Sequence, residues 1–125
     1  MMSTVVVLGA SNSPERIAYQ ALSRLLDKHY DAIPVSPKGG EILGQPVLAA
    51  LDQIERAVDT VTMYVGPERQ LGLLDGIEKL RPRRVIFNPG SENPAIYPRL
   101  QQAGIAVQEA CTLVLLSTRQ FDLPV

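Results

Sequence analysis

A polar segment with the position of a nucleotide-binding loop follows the first apolar run of the chain. Residues 9–17, "GASNSPERI", come after "TVVVL" and before a stretch with helical spacing. A dinucleotide-binding loop needs glycine at three places, which are held here by Gly9, Ser11 and Pro14. Ser11 and Asn12 still supply polar donors, and the start of a helix favours an anion. The pattern predicts a phosphate site; the alternative is that a serine caps the helix and the glycine turns the chain.

A second informative segment follows the second apolar run. It reads "PVSPKGGEILG" over residues 34–44. Enzymes that use NAD place an acidic residue near here to hold the ribose hydroxyl, but this chain has Ser36, Pro37 and Lys38. A lysine suits a phosphate on the ribose, as in NADP or coenzyme A. The alternative is a solvated lysine beside a flexible turn at 39–40.

Other chemistry has little support in the sequence. One cysteine, Cys111, excludes an internal disulfide, and one histidine, His29, excludes a Cys/His zinc cluster and disfavours a Ser-His-Asp triad. The glutamates near loops form no evident acid–base pair. We therefore predict no metal site and a binding protein without catalysis of its own. The glutamates considered are Glu15, Glu41, Glu68 and Glu92.

Three further features have both a structural and a functional interpretation. The basic run "RPRR" at 81–84 is interpreted as a solvated edge after a helix. Tyr64, near the end of the third apolar run, fits core packing or stacking on adenine. Cys111 follows the fifth apolar run, where it is either a small buried side chain or a thiol near a ligand.

Apolar runs and helical segments alternate along the chain. Near-continuous β-branched runs separated by helices predict a parallel sheet covered on both faces, with ligands outside the carboxyl ends of its strands. Pro14, Pro67 and Pro94 suit first helical turns, and Gly104 suits a helix end. We predict one α/β domain over residues 1–125, a Rossmann-like three-layer sandwich with a five-stranded parallel sheet. The strands are expected at 4–9, 31–36, 59–65, 83–88 and 104–110; the helical faces comprise Ile17, Ala21, Leu22, Leu25 and Leu26, then Val47, Leu48, Leu51 and Ile54, then Leu73, Ile77 and Leu80, then Ile96, Leu100 and Ala103.

Composition narrows the class of partner. The formal net charge is −1 with mixed signs, which gives no basis for broad binding to nucleic acid or anionic membranes. The chain has no apolar stretch of about 18 residues and no basic and apolar leader pattern at its start. We expect a soluble cytoplasmic protein.

The sequence resembles the small stand-alone CoA-binding proteins of bacteria, relatives of the CoA-binding domain in the α subunit of succinyl-CoA synthetase. Three segments carry the resemblance: "GAS" with "PER" after the first strand, "PVSPKGGEILGQPV" after the second, and "VGPE" after the third. The most specific part is "PKGG" followed by Gly44 and Pro46-Val47. The synthetase subunit carries a phosphorylated histidine in a second domain, which has no counterpart here, so ligase activity is not expected.

The resemblance implies that coenzyme A or an acyl-CoA is the ligand. It places the pyrophosphate near Gly9 to Asn12, the 3′-phosphate near Lys38, and adenine or pantetheine against the loops after the third and fourth strands. Family members often carry a cysteine near position 111. The competing interpretations are an NADP-binding oxidoreductase module and a degenerate Rossmann scaffold that acts through protein contacts. The predicted binding residues are Gly9, Ala10, Ser11, Asn12, Arg16, Ser36, Pro37, Lys38, Val65, Gly66, Pro67, Asn88, Pro89, Gly90, Ser91 and Cys111.

Overall fold

The predicted parallel sheet is present in the computed structural model, which describes residues 3–125. All five strands end earlier than expected, because the residues after them turn into the loops at the ligand-facing edge, and the last three strands also begin one or two residues later than expected. The strands of this sheet are β1 (Thr4–Leu8), β2 (Asp31–Val35), β5 (Thr60–Met63), β6 (Arg84–Phe87) and β7 (Ala106–Glu109). A two-stranded hairpin of β3 (Glu41–Ile42) and β4 (Gln45–Pro46) was not predicted.

The strand order is β2-β1-β5-β6-β7, and all neighbouring strands of this sheet run parallel. The chain moves from β1 to β2 on one side and then crosses back to β5 on the other side of β1. This reversal opens a crevice at the carboxyl ends of β1 and β5, where ligands bind in such sheets. Pro34 is tolerated within β2 because that strand lies at the edge of the sheet.

Alternate side chains of each strand enter two separate cores. Val5 and Val7 of β1 pack on the face covered by α1 (Ile17–Asp27) and α4 (Thr112–Ser117). Val6 and Leu8 pack on the opposite face, which is covered by α2 (Leu74–Leu80) and α3 (Tyr97–Gln102). This alternation follows from the period of two in a strand and gives the predicted three layers. The fold prediction is confirmed.

Helix α1 shows how the apolar spacing sets the packing. Ala18, Ala21, Leu22 and Leu25 repeat at intervals of three and four, and all are buried. Ile17, which we expected on this face, is 49% exposed because it is the first residue of the helix.

The prediction of an α-helix on Val47, Leu48, Leu51 and Ile54 is wrong. That segment holds only a 3₁₀ turn, Leu51–Gln53. Val47 and Leu48 instead form backbone hydrogen bonds to Gly40 and Pro34. Val47 and Leu51 are apolar because each is buried, but they enter opposite cores, so their helical spacing does not reflect one face of a helix. Helix α4, which begins at Thr112, was not assigned from the sequence.

The basic run at 81–84 is not a uniformly solvated edge. Arg84 is fully buried, and its guanidinium donates to Thr60 Oγ1 at 3.0 Å, to Gln108 Oε1 at 2.9 Å and to the Phe121 carbonyl. The same group lies 4.4 Å from the centre of the Phe121 ring. Burial lowers the pKa of Arg84. Arg84 therefore fastens the C-terminal segment to the sheet, which the one-dimensional charge pattern could not indicate.

Candidate functional site

A cleft of about 1070 Å³ opens at the carboxyl ends of β1, β2 and β5. It lies at the crevice created by the reversal of strand order. Its volume is at the upper end of the range for small-molecule sites, which is about 300–1,000 Å³. Its walls come from the loop after β1, the loop and hairpin after β2, the segment 49–54, and the segment that leads from Val65 into α2.

Gly9 sets the turn that begins the first wall. Its φ of +90° suits glycine, and the amides of Gly9 and Ala10 both donate to the Val35 carbonyl, at 3.0 and 3.1 Å. A Cβ at Gly9 would lie 2.9 Å from Val65 Cγ2 and 3.1 Å from the Tyr64 carbonyl carbon. Gly9 therefore permits both a left-handed turn and the close approach of the β1 and β5 loops.

The residues after this turn keep their donors free. Ser11 Oγ accepts a hydrogen bond from the Ser13 amide at 3.1 Å, which leaves the hydroxyl proton of Ser11 available. Within residues 3–125, the amides of Ser11 and Asn12 donate to no protein acceptor. No side-chain oxygen caps α1, whose N-cap is Arg16. Arg16 thus precedes the first turn rather than lying on it, and it lines the cleft.

The second wall presents Lys38. Ser36 is largely buried; its amide donates to the Leu48 carbonyl at 2.9 Å, and its Oγ accepts from the Lys38 amide at 3.4 Å. Pro37 and Lys38 are exposed and line the cleft. Among the described residues, Lys38 has no carboxylate within ion-pair distance. Its ammonium is available to an anionic ligand.

The third wall contains residues that the sequence interpretation missed. Val65 was predicted and lines the cleft, whereas Arg69, Gly72 and Lys79 were not predicted and line it too. Their position after the third strand, at the sheet edge where ligands bind, was a signal that could have indicated them. The cationic side chains of the cleft, Arg16, Lys38, Arg69 and Lys79, outnumber its acidic ones, Glu41 and Asp52.

Asn88, after β6, is occupied by structural hydrogen bonds. Its Nδ2 donates to Thr62 Oγ1 at 2.7 Å and to the Met63 carbonyl at 3.0 Å, while its Oδ1 accepts from the Thr112 amide at 2.8 Å. The hydroxyls of Thr62 and Thr112 also form a hydrogen bond with each other, at 2.7 Å. Asn88 is 1% exposed. It connects β5, β6 and the start of α4 rather than facing the cleft.

Other predicted residues also lie outside the lining of the cleft. Ser91 is buried, and its Oγ donates to the Asn88 carbonyl at 2.8 Å. Pro89 and Gly90 are exposed at the tip of the same loop, and Gly66 and Pro67 begin the 3₁₀ turn beside Val65. The ligand contacts that we expect of these residues stay predictions.

Tyr64 packs on the α1 and α4 side of the sheet, and Cys111 directly precedes α4. Tyr64 lines the cleft, and its ring packs against the core on this side. Burial raises the pKa of Tyr64 to about 12, and the hydroxyl is the one buried side-chain polar atom in residues 3–125 without a hydrogen-bond partner. Cys111 is half-buried and is the N-cap of α4. A contact between Cys111 and a ligand thiol stays a prediction.

The described part of the chain provides no other obvious type of site. In residues 3–125, no three His, Cys, Asp or Glu side chains are grouped to hold a metal ion. Across the same residues, no helix is long and apolar enough to cross a membrane.

Several known proteins are similar to this chain. An uncharacterized protein of known crystal structure has 42% identity and a TM-score of 0.91, with 97% of this chain and 99% of that chain covered. The Thermus thermophilus protein called cell-free ID.343 has 30% identity and a TM-score of 0.87, with 96% and 91% covered. The uncharacterized protein YneT of Bacillus subtilis (strain 168) is 28% identical over 105 residues, which are 82% of this chain and 76% of that protein.

A larger enzyme shares the fold. The dinucleotide-forming acetyl-coenzyme A synthetase 1 of Ca. Korarchaeum cryptofilum, solved with phosphate and ADP, has a TM-score of 0.75 and 23% identity. The match covers 86% of this chain but only 25% of the synthetase.

The family model described as "CoA binding domain" matches residues 3–117. This range includes every strand of the sheet and each loop that lines the cleft. The chain belongs to the CoA-binding domain family.

Proposed function

We propose that the protein binds coenzyme A or an acyl-CoA reversibly in the cleft at the carboxyl ends of β1, β2 and β5. The observation that carries this proposal is that the free donors of Ser11 and Asn12 and the unpaired ammonium of Lys38 line the same cleft. Coenzyme A has a pyrophosphate and a separate ribose phosphate, so it needs two such anion sites. Membership of the CoA-binding domain family supports the same ligand.

The polar contacts follow from the exposed donors. The pyrophosphate lies against the Ser11 hydroxyl and the Ser11 and Asn12 amides, which donate to no protein acceptor among the described residues. Lys38 pairs with the 3′-phosphate. Arg16, at the N-cap of α1, adds positive charge near the pyrophosphate.

The apolar part of the ligand requires an apolar wall. The segment 49–54 supplies Leu51 and Ile54 to the cleft, and Leu73, which directly precedes α2, and Leu80, which ends it, also line the cleft. Because coenzyme A is a long molecule, we propose that the end leaving the cleft passes over Gly66 and Pro67 toward Pro89 and Gly90. Cys111 does not line the cleft, so it would meet the ligand only if the thiol end extended beyond the cleft.

The charge pattern favours coenzyme A over NAD. No acidic side chain occupies the end of β2, where NAD enzymes hold the ribose hydroxyl, because Ser36 to Lys38 stand there. NADP has a ribose phosphate that Lys38 could also bind, so NADP is the competitor that an experiment must exclude.

Titration calorimetry with coenzyme A, NADP and NAD tests this function. We expect coenzyme A to bind at least about 100-fold more tightly than NAD, which corresponds to about 2.7 kcal/mol. Tighter binding of NADP would favour an oxidoreductase module, and binding of none of the three would favour a scaffold that acts through protein contacts. Mass spectrometry of nucleotide retained during purification provides an independent identification.

A variant that fills the cleft tests its location. Gly72 lines the cleft, and a Cβ added there meets no atom within 4 Å. Gly72→Leu is therefore expected to abolish binding of coenzyme A without lowering the melting temperature. Ala103→Leu, on an exposed residue at the end of α3, is the matched control and should bind normally. Normal binding by Gly72→Leu would place the ligand elsewhere.

A further inference from the structure

Gln70 is a fully buried amide in the segment between β5 and α2. Its Nε2 donates to the Val65 carbonyl at 2.8 Å and to the Ser91 carbonyl at 2.7 Å. Its Oε1 accepts from Asn93 Nδ2 at 3.3 Å. All three hydrogen bonds of the Gln70 side chain thus go to loops at the ligand-facing edge of the sheet. Only one lone pair of Oε1 remains.

These contacts join two loops that the backbone leaves separate. Among the described residues, no backbone hydrogen bond outside the sheet connects segment 64–70 with segment 88–93. The Gln70 side chain provides this connection. A buried amide with three partners is costly to disturb, because a carbonyl that loses its donor keeps its desolvation penalty without compensation.

The Val65 end of this connection reaches the cleft. Val65 lines the cleft, and its Cγ2 lies only 2.9 Å from the position that a Cβ on Gly9 would occupy. A shift of Val65 therefore changes the space against which the Gly9 turn packs. The free donors of Ser11 and Asn12 come directly after that turn.

We infer that Gln70 is a positioning residue for the ligand: by fixing Val65, it holds the Gly9 turn and the Ser11 and Asn12 donors in the geometry that binds an anion. This inference rests on the proposed function, because it assigns to that site a residue that does not line the cleft. Gln70 acts through Val65 and does not touch the ligand. It also couples the anion loop to the loop at 88–93.

Gln70→Glu is the test, because it keeps the shape of the side chain and changes its hydrogen bonding. The ionised carboxylate would face two carbonyl oxygens, whereas the protonated acid can donate to one of them. Burial among two carbonyls and an amide favours the protonated form. The charged neighbours on the two loops, Glu68, Arg69 and Glu92, are exposed.

We expect Gln70→Glu to bind coenzyme A about 10-fold more weakly than the wild type near pH 8 and to regain most of this loss near pH 5. Wild type and Gln101→Glu, a substitution at an exposed glutamine of α3, are titrated in parallel to correct for protonation of the ligand. A purely structural role for Gln70 would leave the affinity of the folded variant unchanged at every pH. Equal affinities of Gln70→Glu and Gln101→Glu across this range would overturn the inference.

A measurement without ligand separates this inference from the proposed function. Amide NMR shifts of the free protein are expected to move at Ser11 and Asn12 in Gln70→Glu and to return on acidification. Shifts confined to 65–70 and 88–93 would overturn the inference, whether or not coenzyme A binds. Failure of the wild type to bind coenzyme A would refute the proposed function alone.

A milder variant keeps the test decisive if Gln70→Glu does not fold. Asn93→Ala removes one of the three hydrogen bonds of Gln70 and leaves the buried amide in place. We expect an affinity loss of about 2- to 3-fold, with smaller shift changes at Ser11 and Asn12. Unchanged shifts at both residues would overturn the inference.

Discussion

Replacement of Gly9 by alanine tests whether the close approach of the β1 and β5 loops forms the anion site. An alanine here faces two separate penalties. Its φ of +90° is disfavoured for a residue with a Cβ, which costs about 1–2 kcal/mol. The Cβ would also lie 2.9 Å from Val65 Cγ2 and 3.1 Å from the Tyr64 carbonyl carbon, well inside the usual carbon–carbon contact of about 3.5–4.0 Å.

The steric penalty at Gly9 can be separated from the backbone penalty by comparison with Gly44. Overpacking costs typically about 1–3 kcal/mol, so Gly9→Ala is expected to lower the free energy of unfolding by about 2–4 kcal/mol once the reduced entropy of the unfolded chain is included. Gly44 has a similar φ of +79°, but a Cβ there meets nothing within 4 Å. Gly44→Ala therefore carries only the backbone penalty, and we expect a loss of about 1 kcal/mol.

Urea denaturation and calorimetry together check this prediction. Gly9→Ala should also weaken binding of coenzyme A by at least about 10-fold, since displacement of the turn moves the Ser11 and Asn12 donors. Gly44→Ala should bind normally. Equal losses of stability in the two variants would refute the steric argument. A destabilised Gly9→Ala protein that binds coenzyme A like the wild type would refute the assignment of this loop to the phosphate.

Three further predictions follow from single side chains. Lys38→Ala should weaken coenzyme A about 10-fold but leave dephospho-CoA unchanged, with Lys28→Ala as the exposed control; calorimetry showing equal weakening of both ligands would limit Lys38 to supporting its loop. Arg84→Met should lower the free energy of unfolding by about 2 kcal/mol in urea denaturation, because it removes three buried hydrogen bonds. Arg83→Met removes an exposed ion pair and should change the free energy of unfolding by less than about 1 kcal/mol. Equal effects of the two substitutions would contradict the role given to Arg84. Burial raises the pKa of Tyr64 to about 12, so the folded state favours the protonated phenol and the free energy of unfolding should fall as the pH rises from about 10 to 12. In alkaline denaturation, Tyr64→Phe should reduce that fall. An unchanged fall would show that the phenol does not contribute.

Local sequence patterns determined the alternation of strands and helices and the ends at which loops could bind a ligand. A strand or helix is recognised from its own apolar period, and a loop from the residues that end it. Gly9 and Lys38 could be identified in this way, because a left-handed turn and an exposed cation depend on few neighbours. The segment 47–54 has helical spacing without a helix, because Val47 and Leu51 pack into opposite cores.

The tertiary structure decided which of these loops share a cleft and which polar side chains hold them in place. Asn88 was predicted as a contact of the ligand, but β5 and α4 supply partners for its whole amide. Arg84 belonged to a basic run, but burial and the Phe121 carbonyl made it a structural anchor. Gln70 had no distinguishing sequence signal, because one of the carbonyls it binds belongs to Ser91, 21 residues further along the chain. Hydrogen bonds between distant segments depend on strand order, and no local period encodes that order.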